Sequence, residues 1–426
     1  MSDKKDTFCI MPFHHINIKN EGKISSCWRY PNWIGDYTEE RLQDVWNGKR
    51  QKTVRRELLN GIKHEGCRSC WDLESSGAES LRNRAQEMYP KVNEEEILSL
   101  VKEDGTYPVD KISSIEIRFD NICNLMCRHC SPVYSSVWEQ VVKKEPDLMA
   151  QQAHEAWQTV RERDKHIALT QETIDEVVEL SPHLTELMIT GGEPLYHSKH
   201  YDFLERCLPE AQHITLQYNS NFSKLDYNGK SILDLWAKFK KVSIRVSLDA
   251  YPDIYDYVRV RGDLPTAEKN IRAALRLSNM NLSATCTASL LNVTRLPQIA
   301  EYYYKLGVKF HSSLVQYPRA LNPKLLPDQL KQQATHDWNR FIEGVETKQH
   351  SWLRGTDTEW WNKDCLHRWK KFGGNIINYM NGGDWFEHWQ EFINYMRPQD
   401  RYHKTNILDV YPEFRPYWEK NYDYNR

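Results

Sequence analysis

The sequence predicts an α/β fold: an incomplete (β/α)6 barrel, preceded by a cysteine-bearing N-terminal module and followed by a helical C-terminal region. Three observations carry this expectation. The middle of the 426-residue chain alternates strand-like and helix-like runs, seven of the ten cysteines fall in two groups, and residues 326–426 are dense in Trp, Tyr and His.

The strands come first. "SSIEIRF" (113–119), "TELMIT" (185–190), "HITLQYN" (213–219), "KVSIRVSLD" (241–249), "LSATCTASL" (282–290) and "KFHSSLVQ" (309–316) are rich in β-branched and apolar residues. Between most of them lie amphipathic segments of helical period, such as "GKSILDLWAKFKK" and "LPTAEKNIRAALRLS". Strand–helix repetition implies a parallel sheet with right-handed crossovers. Six such units suit a partial barrel, because closure takes eight. Residues 131–184 read as mostly helical, with a solvated face in "VKKEPDLMAQQAHEAWQTVRERDKH" and no chemistry. The barrel is therefore expected over 111–325. Residues 1–110 carry short strand-like pieces and two helices, "EERLQDVWNGKRQKTVRRELLNG" and "NEEEILSLVKE". The aromatic runs of 326–426, "DTEWWNKDCLHRWKKF" and "GGDWFEHWQEFINYM", read as helices whose stripes pack a core or close the barrel mouth.

The formal charge is -2, so no field of one sign argues for nucleic acid or an acidic membrane. No apolar run approaches the ~20 residues that span a bilayer. The start, "MSDKKDTFCI", has no apolar signal core. The expectation is a soluble cytoplasmic protein, and in a reducing cytosol clustered cysteines are metal ligands rather than disulfides. Cys207, Cys286 and Cys365 stand alone and read as small buried hydrophobes.

Cys123, Cys127 and Cys130 form C-x3-C-x2-C directly after the first barrel strand. A structural zinc site closes all four positions. A cubane iron–sulfur cluster held by three thiolates keeps one iron open for a ligand. In parallel α/β folds the site forms at the carboxyl ends of the strands. The second strand ends in Gly191-Gly192-Glu193-Pro194, where glycine permits close backbone approach, Pro194 stiffens the turn and Glu193 suits an ammonium. Asn219 and Ser220 end the third strand, and Ser247 and Asp249 the fourth. Their amide, hydroxyl and carboxylate groups suit a ribose or an amino acid. Arg259, one junction later, suits a carboxylate. Taken singly, GGEP is also an ordinary turn, Asp249 a cap and Arg259 a solvated cation; their conjunction in strand order argues for a site.

A second set, Cys9, Cys27, Cys67 and Cys70, makes a complete four-thiol site. Spacing alone leaves zinc and an iron–sulfur cluster open. His14, His15 and His64 lie nearby in sequence and read as packing or surface histidines.

C-x3-C-x2-C after the first strand, followed by GGEP after the second, resembles the radical S-adenosylmethionine (radical SAM) superfamily, over residues 111–316. The resemblance implies a [4Fe–4S] cluster on Cys123, Cys127 and Cys130, with S-adenosylmethionine chelating the open iron. It implies that Gly191–Glu193 hold the methionyl amine and that Ser247, Asp249 and Arg259 match positions of the cofactor site. Tyr218-Asn219-Ser220 stands where many members have Thr-Asn-Gly, and His129 stands at an often aromatic position near the adenine. Cys9, Gly22 and Cys27, followed by Cys67-x2-Cys70, resemble the opening of SPASM and twitch domains, which carry auxiliary iron–sulfur clusters. The set ends at Cys70, which is the shorter twitch pattern with one cluster, and it precedes the barrel rather than following it. The implied protein is a radical SAM enzyme with an N-terminal twitch-like domain over 1–110. It would carry out a net oxidation of a small or medium-sized substrate, with an external donor such as a flavodoxin-like protein. Alternatives are a peptide- or protein-modifying maturase and, in another class, a non-catalytic iron–sulfur electron-transfer or zinc-binding protein.

Overall fold

The computed structural model describes residues 7–19, 21–75, 79–145, 148, 168–315, 318–353 and 359–418. Most of the solvated stretch read over 142–166 lies outside them. The described residues form two compact units. The first draws on Met1–Asn121, Asp164–Tyr218 and Tyr227–Val242; the second draws on Ile122–Arg163, Asn219–Asp226 and Ser243–Arg426.

The main-sheet strands of the first unit are β1 (His15–Ile18), β2 (Lys23–Ser25), β3 (Gly35–Asp36), β4 (Ser114–Arg118), β5 (Glu186–Thr190) and β6 (Thr215–Ser220, whose last two residues belong to the second unit). Their order is β6-β5-β4-β1-β2-β3. β4, β5 and β6 pair in parallel, as the alternating pattern predicts. The register sets Ile115 opposite Leu187 and Ile189 opposite both Ile117 and Tyr218. One face of the sheet is therefore apolar and closed: Ile115, Ile117, Leu187, Ile189, Leu216 and Tyr218 are at most 1% exposed. The period of two puts Ser114, Glu116, Arg118, Glu186, Thr190 and Gln217 on the other face.

The strand-like pieces of the N-terminal segment are β1–β3. β1 continues the sheet of β4 in parallel, His15 opposite Ser114 through Ile18 opposite Ile117. The helix expected over 39–61 is two helices, Leu42–Trp46 and Lys49–Leu59. Asn47 and Gly48 break it, and Gly48 is the extended N-cap of the second. Helical periodicity runs on across such a break, so the apolar pattern did not reveal it.

The second unit carries β7 (Lys241–Ser247, its first two residues in the first unit), β8 (Met280–Ala288) and β9 (Lys309–Leu314), in the order β9-β8-β7. Helices Pro252–Val258, Leu264–Ala274 and Leu296–Leu306 connect them. All six predicted barrel strands are present, and the fold is the expected mostly parallel partial barrel with a helical C-terminal region. In that region Asp328–Glu346 packs against a long helix that passes through a π-turn, Trp369–Gly373. Trp338, Trp369 and Trp389 are buried, so part of the aromatic pattern is core, whereas Trp360 and Phe386 are exposed. Cys207, Cys286 and Cys365 are buried as well. Among the described residues, no helix is long and apolar enough to cross a membrane.

Three buried imidazoles make stability pH-dependent. Burial pulls His14, His15 and His200 down to about 3, with His15 opposing His14 and His197 opposing His200. In the fold they stay neutral, whereas the unfolded chain takes up protons as pH falls through ~6.5. Their contribution is whole above that pH. Below it each histidine removes up to ~1.4 kcal/mol per pH unit. Denaturant midpoints measured from pH 7 to 5 should fall, and His200→Phe should flatten the slope.

Candidate functional site

The second unit holds nine of the predicted site residues. The cysteine loop has little regular structure of its own, so its polar groups are satisfied from outside. The Trp138 indole donates to the Cys127 carbonyl (2.9 Å), and the Ser135 hydroxyl, also the cap of helix Ser136–Val142, donates to the Leu125 carbonyl (2.8 Å). The Leu125 amide points at Cys123 Sγ (3.4 Å). On its other side the loop docks along the segment after helix Pro252–Val258: the Met126 amide donates to the Val260 carbonyl and the Arg128 amide to the Val258 carbonyl, both at 3.0 Å.

This docking brings Arg259 to the thiols. Its Nη1 lies 3.5 Å from Cys127 Sγ, and its Nη2 is bonded to Asp249 Oδ2. Asp249 is fully buried in a left-handed conformation, φ 56°. Its Oδ1 accepts from the Thr287 amide (2.6 Å), its carbonyl from Asn292 Nδ2 (3.0 Å), and His129 Nε2 stands 3.2 Å from Oδ2. Burial alone pushes this carboxyl up, but Arg259 and then His129 outweigh it and hold it well below the usual carboxylate range. Asp249 is therefore ionised and neutralises Arg259. Burial pushes the Cys130 thiol up to about 12, with Cys127 adding to it. Cys127 is also raised by burial, against Arg259, which pulls it down. Asp249 and Arg259, expected as separate ligand contacts, bind each other, and Arg259 offers an N–H to a thiol.

Of the remaining candidates in this unit, Ser220 is buried, and its Oγ accepts from the Phe222 amide (3.1 Å). The next residue, Asn221, donates to Asn124 in the cysteine loop (2.9 Å), tying the Asn219-Ser220 turn to it. Ser247 ends β7, half-buried.

Gly191–Pro194 belong to the first unit. Gly191 has φ 123°, and a Cβ there would stand 2.8 Å from the Asp120 carbonyl, so the turn requires glycine. The Gly192 amide donates to that same carbonyl (3.1 Å). Glu193 is buried and accepts from the Leu195 amide (3.2 Å), capping the turn Pro194–Tyr196.

The first unit also holds the second cysteine set. Cys9, Cys27, Cys67 and Cys70 line one small pocket with Tyr30, Trp71 and Arg82. Burial and then repulsion from neighbouring thiols raise Cys9, Cys27 and Cys67, Cys27 to about 11 and Cys67 to about 12. Gly66 is needed beside them, because a Cβ would meet the Tyr30 ring at 2.3 Å. His64 caps this turn through Nδ1 to the Gly66 amide (2.9 Å). His14 and His15 face Ser113 and Ser114 and pack, as expected. Among the described residues no three His, Cys, Asp or Glu groups are drawn together tightly enough to hold a single metal ion. Both cysteine sets offer half-buried to buried sulfur donors, which suits iron–sulfur clusters.

Two features escaped the sequence reading. Arg128, between Cys127 and His129, is fully buried and bonded to the C-terminal helix Trp389–His403. Glu116, in the middle of β4, and Glu186, at the start of β5, sit on the polar face, where Thr190 and Arg118 hold the first and Tyr89, Ser114 and Gln217 the second. A carboxylate alternating with isoleucines in "SIEIR" was the available signal for that face.

Residues 117–295 match the family model of the radical SAM superfamily, and residues 9–71 match that of SPASM, an iron-sulfur cluster-binding domain. The second match spans all four N-terminal cysteines and ends just after Cys70. Among solved structures the chain is similar to the crystal structure of Streptococcus suis SuiB bound to precursor peptide SuiA, at 12% identity and a TM-score of 0.35. The likeness covers 70% of this chain and 62% of that one. Comparison with curated proteins gave no match.

Proposed function

Because the chain is a radical SAM protein with an iron–sulfur cluster-binding domain ahead of the barrel in sequence, we propose that it catalyses net oxidation of a small or medium-sized substrate, beginning with removal of a hydrogen atom from carbon. The observation that carries this is the braced three-thiol loop, with Arg259 and Asp249 against it, inside the matched span. Cys123, Cys127 and Cys130 would hold the [4Fe–4S] cluster, and Cys9, Cys27, Cys67 and Cys70 an auxiliary one. When bound, the first cluster and S-adenosylmethionine supply the electron and the 5′-deoxyadenosyl radical that takes the hydrogen.

The chain's own residues bind and orient. The Gly191–Glu193 turn offers its backbone and a carboxylate to the methionyl amine. Asn219, Ser220 and Ser247 suit ribose and carboxylate oxygens. The His129 ring, fixed by Asp249, suits an adenine face. Four thiols close the N-terminal site, which leaves it to accept or relay an electron rather than bind substrate. The electron donor is expected to be a flavodoxin-like protein.

The double variant Cys67→Ala/Cys70→Ala tests the oxidative reading. Cleavage of S-adenosylmethionine should persist, while oxidised product falls by about tenfold or more, equivalent to ~1.4 kcal/mol. Full product formation, with the fold and the first cluster intact, would sink it. A non-catalytic electron-transfer protein would instead leave S-adenosylmethionine intact in both forms.

A further inference from the structure

Arg128 is the one strongly charged side chain within the span Cys123–Cys130, and it is not at the surface. It is 0% exposed. Burying a guanidinium is costly unless every neighbour is arranged to receive it. Here its Nε donates to the Tyr257 carbonyl (2.7 Å), its Nη2 to Thr405 Oγ1 (2.6 Å), and Nη2 also pairs with Asp400 Oδ1 (3.1 Å). Its charge sits 3.8 Å from the centre of the Tyr257 ring.

Asp400 in turn is committed to this contact. Oδ1 accepts from the Tyr257 hydroxyl and the Thr405 hydroxyl, each at 2.8 Å, and Oδ2 accepts from the Ile407 amide (2.8 Å). One turn earlier on the same helix, the Tyr395 hydroxyl donates to the Arg128 carbonyl (2.6 Å). The C-terminal helix thus holds Arg128 at both its carbonyl and its guanidinium. Arg128 holds the Tyr257 carbonyl, and its amide holds Val258. Arg259 follows directly, so its reach to Cys127 depends on that anchored backbone.

We propose that the C-terminal helix Trp389–His403 tunes the cluster on Cys123, Cys127 and Cys130 from a distance. Asp400 and Tyr395 position Arg128, Arg128 positions the Tyr257–Val260 segment, and that segment presents Arg259 to the Cys127 sulfur. The inference rests on the proposed function, in that it takes these three thiols to hold the cluster. Hydrogen bonds to cluster sulfurs set reduction potential, and a cationic donor favours the reduced, more negative state. Arg259 therefore raises the potential, and loosening Arg128 lowers it.

The test uses the full chain, reconstituted anaerobically with iron and sulfide. The reduced-cluster electron paramagnetic resonance signal that changes on adding S-adenosylmethionine identifies this cluster, and its midpoint potential is titrated. Arg259→Gln should lower the midpoint. Asp400→Asn and Tyr395→Phe, which do not touch the sulfur, should lower it in the same direction by less, with iron content retained. Tyr395→Phe keeps every charge, so it decides the matter if Asp400→Asn fails to fold. An unmoved midpoint in the folded positioning variants would overturn the inference, whatever Arg259→Gln does. Absence of any signal responsive to S-adenosylmethionine in the wild type would overturn the functional reading instead.

Discussion

Cys127→Ala should lower formation of 5′-deoxyadenosine by about a thousandfold or more, equivalent to ~4 kcal/mol of barrier. Cys127 is the buried member of its set. Its carbonyl is held by Trp138 and its sulfur faces Arg259. Removing it takes away a ligand and leaves Arg259 without its thiol acceptor. Iron bound per chain should fall by the content of one cluster, with the N-terminal cluster retained. Cys286→Ala is the control. Cys286 is equally buried, but it lies in β8 and belongs to neither cysteine set, so iron and cleavage should both survive its loss. Retention of cleavage in Cys127→Ala would contradict the ligand assignment.

The second large effect is on stability. Asp249→Ala should cost about 3–5 kcal/mol, because it strands a buried cation in place of an ion pair. Arg259 is 6% exposed and Asp249 is 0% exposed, so solvent screens the pair little. The loss also frees the Thr287 amide and His129 from their common acceptor. Arg259→Met in the same background should recover part of the loss, since no charge is then left unpaired. Urea midpoints of the four proteins form a double-mutant cycle. A coupling energy near zero would show that the pair does not act as a unit.

The parts of this molecule that were legible in sequence are those encoded by local spacing. The six strands announce themselves by alternation, and the register puts Ile115, Ile117 and Ile189 on one face as that alternation requires. The C-x3-C-x2-C loop and the GGEP turn are likewise local, and Gly191 is glycine for a reason visible in its φ. What was not legible depends on residues distant in the chain. Arg128 and Thr405 are 277 positions apart, and no periodicity links them. Asp249 read as a turn or ligand residue because a sequence cannot say that Arg259 folds back onto it. The break at Asn47–Gly48 was hidden for the opposite reason: the apolar spacing on its two sides stays in helical phase.

The most direct measurement of the central claim is anaerobic. The protein is reconstituted with iron and sulfide, iron is counted per chain, and S-adenosylmethionine and dithionite are added while 5′-deoxyadenosine is followed. Two cubane clusters per chain give about eight irons, and the account predicts that count together with slow release of 5′-deoxyadenosine. Clusters that leave S-adenosylmethionine intact with several reductants would contradict it and point to an electron-transfer protein.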